Sequence, residues 1–119
     1  MTGLESAIQG LQQALDTPRR QHMWRWLVRH RMSAVKDALA PEGARGGEAW
    51  LASRESALHR ERTALLQRLT DLGPAVLESH DVEAVRLELT KLVGALERYR
   101  QHLNDLVYDS VSLELGGSE

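Results

Sequence analysis

Five histidines, His22, His30, His59, His80 and His102, are the side chains of this sequence best suited to hold a metal ion. A helical histidine site needs a second ligand three or four residues away, so that two donors converge on one ion. Four residues beyond His22 stands Trp26, beyond His59 Thr63 and beyond His102 Leu106. His22 and His30 are eight apart, about 12 Å along a helix axis, too far to share an ion. Glu55 and His59 have ligand spacing. The reading is that these histidines lie at the surface or its boundary, with no metal and no cofactor. Asp105 and Asp109 are an i,i+4 acid pair, which suits acid–base work but more often marks a solvated helix face. No serine sits in a G-x-S-x-G context, and there is no P-loop or G-x-G-x-x-G, so no catalytic residue is assigned.

Charge supplies a second candidate. From Pro18 to Lys36 there are six bases (Arg19, Arg20, Arg25, Arg29, Arg31, Lys36) and no acid, whereas nine acids face four bases from Glu78 onward. On a helix, Arg25, Arg29 and Lys36 align on an outer face, with His22 and Trp26 beside them. A basic ridge with an exposed aromatic suits phosphates and stacked bases, or an anionic membrane surface. The formal net charge of −2 argues against a nucleic-acid binder. Internal complementarity, with the basic second helix lying beside the acidic last one, is the simpler expectation.

A third candidate is charge inside apolar arcs. Arg31 falls mid-arc on the second helix, Glu55 and Arg62 near the arc of the third, and Glu88 at the margin of the fourth. Unpaired buried charges cost several kcal/mol, so an interior Arg31–Glu55–Arg62–Glu88 network is expected, with a register-fixing role. A polar-ligand pocket is the functional alternative.

The elements that must position these groups are all helical. Val82, Val85, Leu89, Leu92, Leu96, Tyr99, Leu103, Leu106, Ser110 and Leu113 recur in steps of three and four, an apolar stripe about thirty residues long. The pattern predicts helices over about 4–15, 18–39, 48–72 and 81–113. Leu4, Ile8, Leu11 and Leu15 face inward on the first. Met23, Trp24, Leu27, Val28, Ala34, Val35, Ala38 and Leu39 form the arc of the second. Leu51, Leu58, Leu65, Leu69 and Leu72 line the third. Thr17 is expected to cap the second helix with Pro18 at its first position. Pro41–Gly47 is a loop, Gly73–Pro74 is expected to end the third helix, and Ser79 or Asp81 to cap the fourth. The tail Val111–Leu115 alternates apolar and polar residues, compatible with a strand or a last helical turn.

The fold class that follows is all-α: an antiparallel up-down bundle of three long helices and a short N-terminal one, in a single domain over 1–119. There is no cysteine, no signal-like start and no span of about 18 apolar residues. A cytoplasmic location without a membrane span is expected. Thirteen of the fifteen bases are arginine, a bias typical of GC-rich bacterial genomes.

Met23-Trp24-Arg25-Trp26 in the second helix and Arg100-Gln101-His102-Leu103 in the last follow a short first segment. Together with Leu106-Val107-Tyr108-Asp109 and the Leu115-Gly116-Gly117-Ser118-Glu119 end, they resemble small actinobacterial-type hemerythrin-like four-helix proteins. The resemblance implies a bundle. It does not carry over iron chemistry: that family uses H-x-x-x-E, H-x-x-x-H and H-x-x-x-x-D, and neither His59 nor His102 has those partners.

The fourth helix is too long for its neighbours to cover. Unless the first helix packs over the excess, Val107, Tyr108, Val111, Leu113 and Leu115 form an exposed apolar patch. The functional expectation is therefore a non-enzymatic protein-interaction or oligomerisation module that forms a homo-oligomer. A nucleic-acid module built on Arg25, Arg29, Lys36 and Trp26 is the alternative, and a hemerythrin-like metal protein the second.

Overall fold

The computed structural model describes residues 3–17, 21–39 and 49–116, with side chains over 3–17, 23–39 and 54–109. Four helices are present: α1 (Gly3–Asp16), α2 (Gln21–Ala38), α3 (Ala49–Glu78) and α4 (Val82–Gly116). They form an antiparallel bundle in which each helix touches the next and α1 closes against α4. The α1/α3 and α2/α4 pairs lie across the diagonals, with no backbone approach within 8 Å. The result is a rod 59 Å long and 23 × 20 Å in section.

The core follows the periodicity. Leu4, Ile8, Leu11 and Leu15 of α1 are buried, as are Leu65 and Leu69 of α3 and Val85, Leu89, Leu92, Leu96 and Tyr99 of α4. The arc of α2 is rotated from its expected position. Met32, not Arg31, sits at its centre, with Trp24, Val28, Val35 and Leu39, while Met23 and Ala34 face solvent. Glycine explains where Arg31 goes. A Cβ at Gly10 would lie 3.4 Å from Arg31 Cδ, so the arginine stem crosses α1 where there is no side chain and its charge reaches water.

Local chemistry sets two ends. Asp81 is the N-cap of α4: its carboxylate accepts from Ala84 N–H at 3.0 Å, and its own N–H donates to Ser79 Oγ at 3.2 Å. Thr17 closes α1 instead of opening α2, since its hydroxyl and its N–H both donate to Gln13 O, at 2.8 and 3.1 Å. Pro18, expected to open α2, lies outside the described residues. The C-terminal stretch, left open between strand and helix, is helical to Gly116.

The expected break at Gly73–Pro74 does not occur, and α3 continues to Glu78. Proline disfavours helix at the preceding residue through a clash with that residue's Cβ, and Gly73 has none. Gly73 also faces α2: a Cβ there would lie 3.2 Å from Arg29 Nε. Val76, one turn on, is buried in the core and holds the last turn in place. Pro74 itself is exposed and withholds one helical N–H from the ladder. Pro74→Ala is expected to stabilise the protein by about 2–2.5 kcal/mol, the helix-propensity gain of about 3 less about 0.4–1 of entropy returned to the unfolded chain. Urea denaturation checks this; a destabilised variant would mean the proline shapes the turn.

Candidate functional site

The basic ridge of α2 is divided between two directions. Arg25 turns onto α3, where Nη1 donates to Val76 O at 2.9 Å and Nη2 to Ser79 O at 2.6 Å. The last carbonyls of a helix have no intrahelical donors and carry the negative end of the dipole. Arg25 therefore caps α3 and fastens it to α2. Arg29 lies over Gly73 and donates to Ser33 Oγ at 3.3 Å, and Lys36 is half-buried. Arg25 and Arg29 line the α2/α3 seam. Trp26 points the other way, 61% exposed, stacked on His30 with ring centroids 5.3 Å apart. The side chain of His22 lies outside the described residues. The proposed anion face thus has its central guanidinium engaged and its aromatic on a different side. The basic helix does not lie beside the acidic one; α2 is diagonal to α4 and its cations meet the carbonyl end of α3.

The interior ion network is not formed. Among the described residues no charged side chain is buried. Arg31 is exposed, Glu55 and Arg62 are half-buried, and Glu88 pairs with Lys91 at 3.3 Å on the surface of α4. Arg62 Nη2 lies 2.6 Å from His59 Nδ1. Long side chains at the edge of an arc reach water at less cost than desolvation requires.

The histidines are dispersed. His102 Nδ1 lies 3.0 Å from Glu61 Oε1 across α3 and α4, and His59 is engaged with Arg62 rather than with Glu55. Among the described residues, no three His, Asp or Glu side chains converge to hold an ion. Asp105 and Asp109 do not act as a pair: Asp109 binds Arg54 across the hairpin.

The far end of the rod carries the other candidate surface. The Arg25–Val76 bond and the Arg29–Gly73 contact set the α2/α3 register, which puts Leu39 opposite about residue 63. The Glu5–Arg100 pair sets the α1/α4 register and puts Gly3 opposite about residue 102. Beyond those levels α3 and α4 continue as a two-helix overhang of about 14 residues each, roughly 21 Å long. Arg54–Asp109 and Glu61–His102 hold its helices together. Its seam continues with Leu58 and Leu106, both buried. Val107 is 39% exposed and Tyr108 72%. The side chains of Val111, Leu113 and Leu115, assigned to the same patch, lie outside the described residues. α1 ends short of the overhang and does not cover it.

No family model, curated protein or solved structure matches the chain.

Two features escaped the sequence. Leu77 and Leu87 are large exposed apolar side chains near the α3–α4 turn, at the end of the rod that also carries Met23 and Trp26. Neither interrupts a helical pattern, so no local signal marks them. Trp24 is 2% exposed, and its indole N–H has no acceptor among the described residues. No helix of the described residues is long and apolar enough to cross a membrane.

Proposed function

We propose that this protein works by binding protein, itself or another, through the α3–α4 overhang. The observation that supports this reading is the end of α1 and α2 at a level where the apolar seam of α3 and α4 goes on. In a bundle each helix buries its stripe against two neighbours. Among the described residues each has one in the overhang, and Val107 and Tyr108 are exposed beside the seam. A continuous apolar seam that runs out of cover is the usual signature of a contact surface.

Nucleic acid is the less supported partner. Arg25 is spent on Val76 and Ser79, and phosphate binding needs free cations in a row. The hemerythrin-like reading has no converging ligands among the described residues to support it.

The test is a photoreactive phenylalanine analogue at position 108, compared with one at position 9 on the outer face of α1. Irradiation in the native cell is expected to give a protein adduct from position 108 and little from position 9. No protein adduct at 108, or equal labelling at both positions, would remove this reading.

A further inference from the structure

We propose that the outer groove between α2 and α3 binds an acidic amphipathic helix of another protein. The groove lies apart from the α3–α4 overhang, and labelling at position 108 does not bear on it.

Two contacts define the walls. Arg25 donates to Val76 O and Arg29 lies over Gly73, which fixes the facing flanks of the two helices and their antiparallel register. Lys36 comes seven residues after Arg29 and eleven after Arg25, within about 20° of each around α2, and so shares their flank. On α3 the flank of Gly73 continues in steps of three and four as Leu66, Thr70 and Leu77. The register sets Leu77 at the level of Arg25, Gly73 at that of Arg29, Thr70 near Ser33 and Leu66 at Lys36. One wall is thus cationic and polar, the other neutral and largely apolar.

The cationic wall lacks an acid. Across the α3/α4 seam Arg54 meets Asp109 and His102 meets Glu61, and across the α1/α4 seam Arg100 meets Glu5. Across α2/α3, among the described residues, no carboxylate pairs with a base. Arg25 is taken up by the carbonyls of Val76 and Ser79. Arg29 donates to the Ser33 hydroxyl at 3.3 Å, and Lys36 has no partner among the described residues, although both are half-buried. Asp37 and Asp71, next in sequence to Lys36 and Thr70, stand about 100° round their helices, on the outer faces. Both are exposed, and Asp71 accepts from Gln67 at 2.9 Å. Partial burial of a cation without a counter-charge is unfavourable, and a carboxylate arriving from outside relieves it.

The spacing selects the occupant. A third helix seats between two packed helices, about 8–10 Å from each. Arg29 and Lys36 are about 10.5 Å apart along the axis, the rise between residues i and i+7 of such a helix, which share one face. Leu66 and Leu77 are eleven residues and about 16.5 Å apart, again on one face. Leu77 is 50% exposed and Leu66 half-buried, so both have apolar surface left to cover. The occupant therefore carries glutamate or aspartate seven residues apart toward α2 and apolar side chains toward α3, the helix-in-groove mode of recognition. A nucleic-acid strand instead presents a phosphate at every residue in an unbroken row. Two cations this far apart leave most of those charges unmatched, and Leu66 and Leu77 offer them no partner.

Fluorescence anisotropy tests this with a labelled, helix-locked peptide that carries two glutamates seven residues apart and leucines on the adjacent face. The comparison probes are the same peptide with glutamine for both glutamates, a single-stranded oligothymidylate, and phosphatidylserine vesicles. The acidic peptide is expected to bind the full chain in the micromolar range, and the glutamine peptide about tenfold more weakly or worse. Lys36→Glu and Thr70→Glu, which put a carboxylate inside the groove, are each expected to weaken the acidic peptide by about tenfold or more. Arg31→Glu makes the same charge change as Lys36→Glu but on the α1 side of α2, and is expected to change binding less than about twofold. Circular dichroism confirms that each variant is helical before it is scored. If Lys36→Glu does not fold, Lys36→Gln takes its place, with a loss of about threefold expected. Equal binding of the two peptides, equal losses in the Lys36 and Arg31 variants, or no binding of the acidic peptide overturns the proposal. So does tighter binding of the oligothymidylate or of the vesicles, which would assign the groove to a nucleic acid or to a membrane surface.

Discussion

Leu92→Ala is expected to destabilise the protein by about 3–4 kcal/mol, the upper part of the range for emptying a leucine site. Leu92 is closed to solvent in the middle of α4, on the seam with Leu89 and Leu96, where α4 packs against both α1 and α3. Removing the side chain forfeits its transfer free energy and leaves a cavity that long, continuous helices cannot close by local collapse. A domain of this size holds only about 5–15 kcal/mol in total, so the variant should sit near the unfolding threshold at 37 °C. In urea the midpoint should fall while the slope holds, since the surface exposed on unfolding is unchanged. Leu92→Met, which keeps the volume, should cost less than about 1.5 kcal/mol. A loss under about 1 kcal/mol for the alanine variant would show that the helices are loosely docked.

Arg25→Ala is expected to cost about 2–3 kcal/mol, the range for hydrogen bonds made by a charged group, because two partly buried donations are lost together. Val76 O and Ser79 O would be left at the end of α3 without donors, beside a helix dipole that favours a cation there. Arg25→Lys should recover only part of the loss, since an ammonium is a point donor and cannot span both carbonyls as the planar fork does. Thermal or urea unfolding measures this. The same variant separates two meanings of the basic helix. If Arg25 served only an external anion, its removal would leave stability untouched and change binding alone.

The stepwise spacing of leucine and valine was enough to read an all-α bundle, because helix geometry repeats every 3.6 residues and burial follows the repeat. That logic placed the inward faces of α1 and α4 and narrowed the cap of α4 to Ser79 or Asp81, each decided within a few residues of chain, and the structure gives the cap to Asp81. It also showed α4 to be longer than its expected neighbours. Gly10, Gly73 and Arg25 mark where local reading stopped. Arg31 reads as central to an apolar arc until α1 is known to present a glycine beneath it, which frees Met32 to take the centre. Gly73–Pro74 reads as a helix end until α2 is known to lie against it, and the absent Cβ then serves close packing rather than a cap. Arg25 reads as a free cation until the end of α3 arrives beside it, fifty residues later in the chain. Each of these outcomes depends on which helices are neighbours. Periodicity constrains the face a residue occupies, whereas the destination of a long polar side chain is set by donors and acceptors brought together only when the bundle closes.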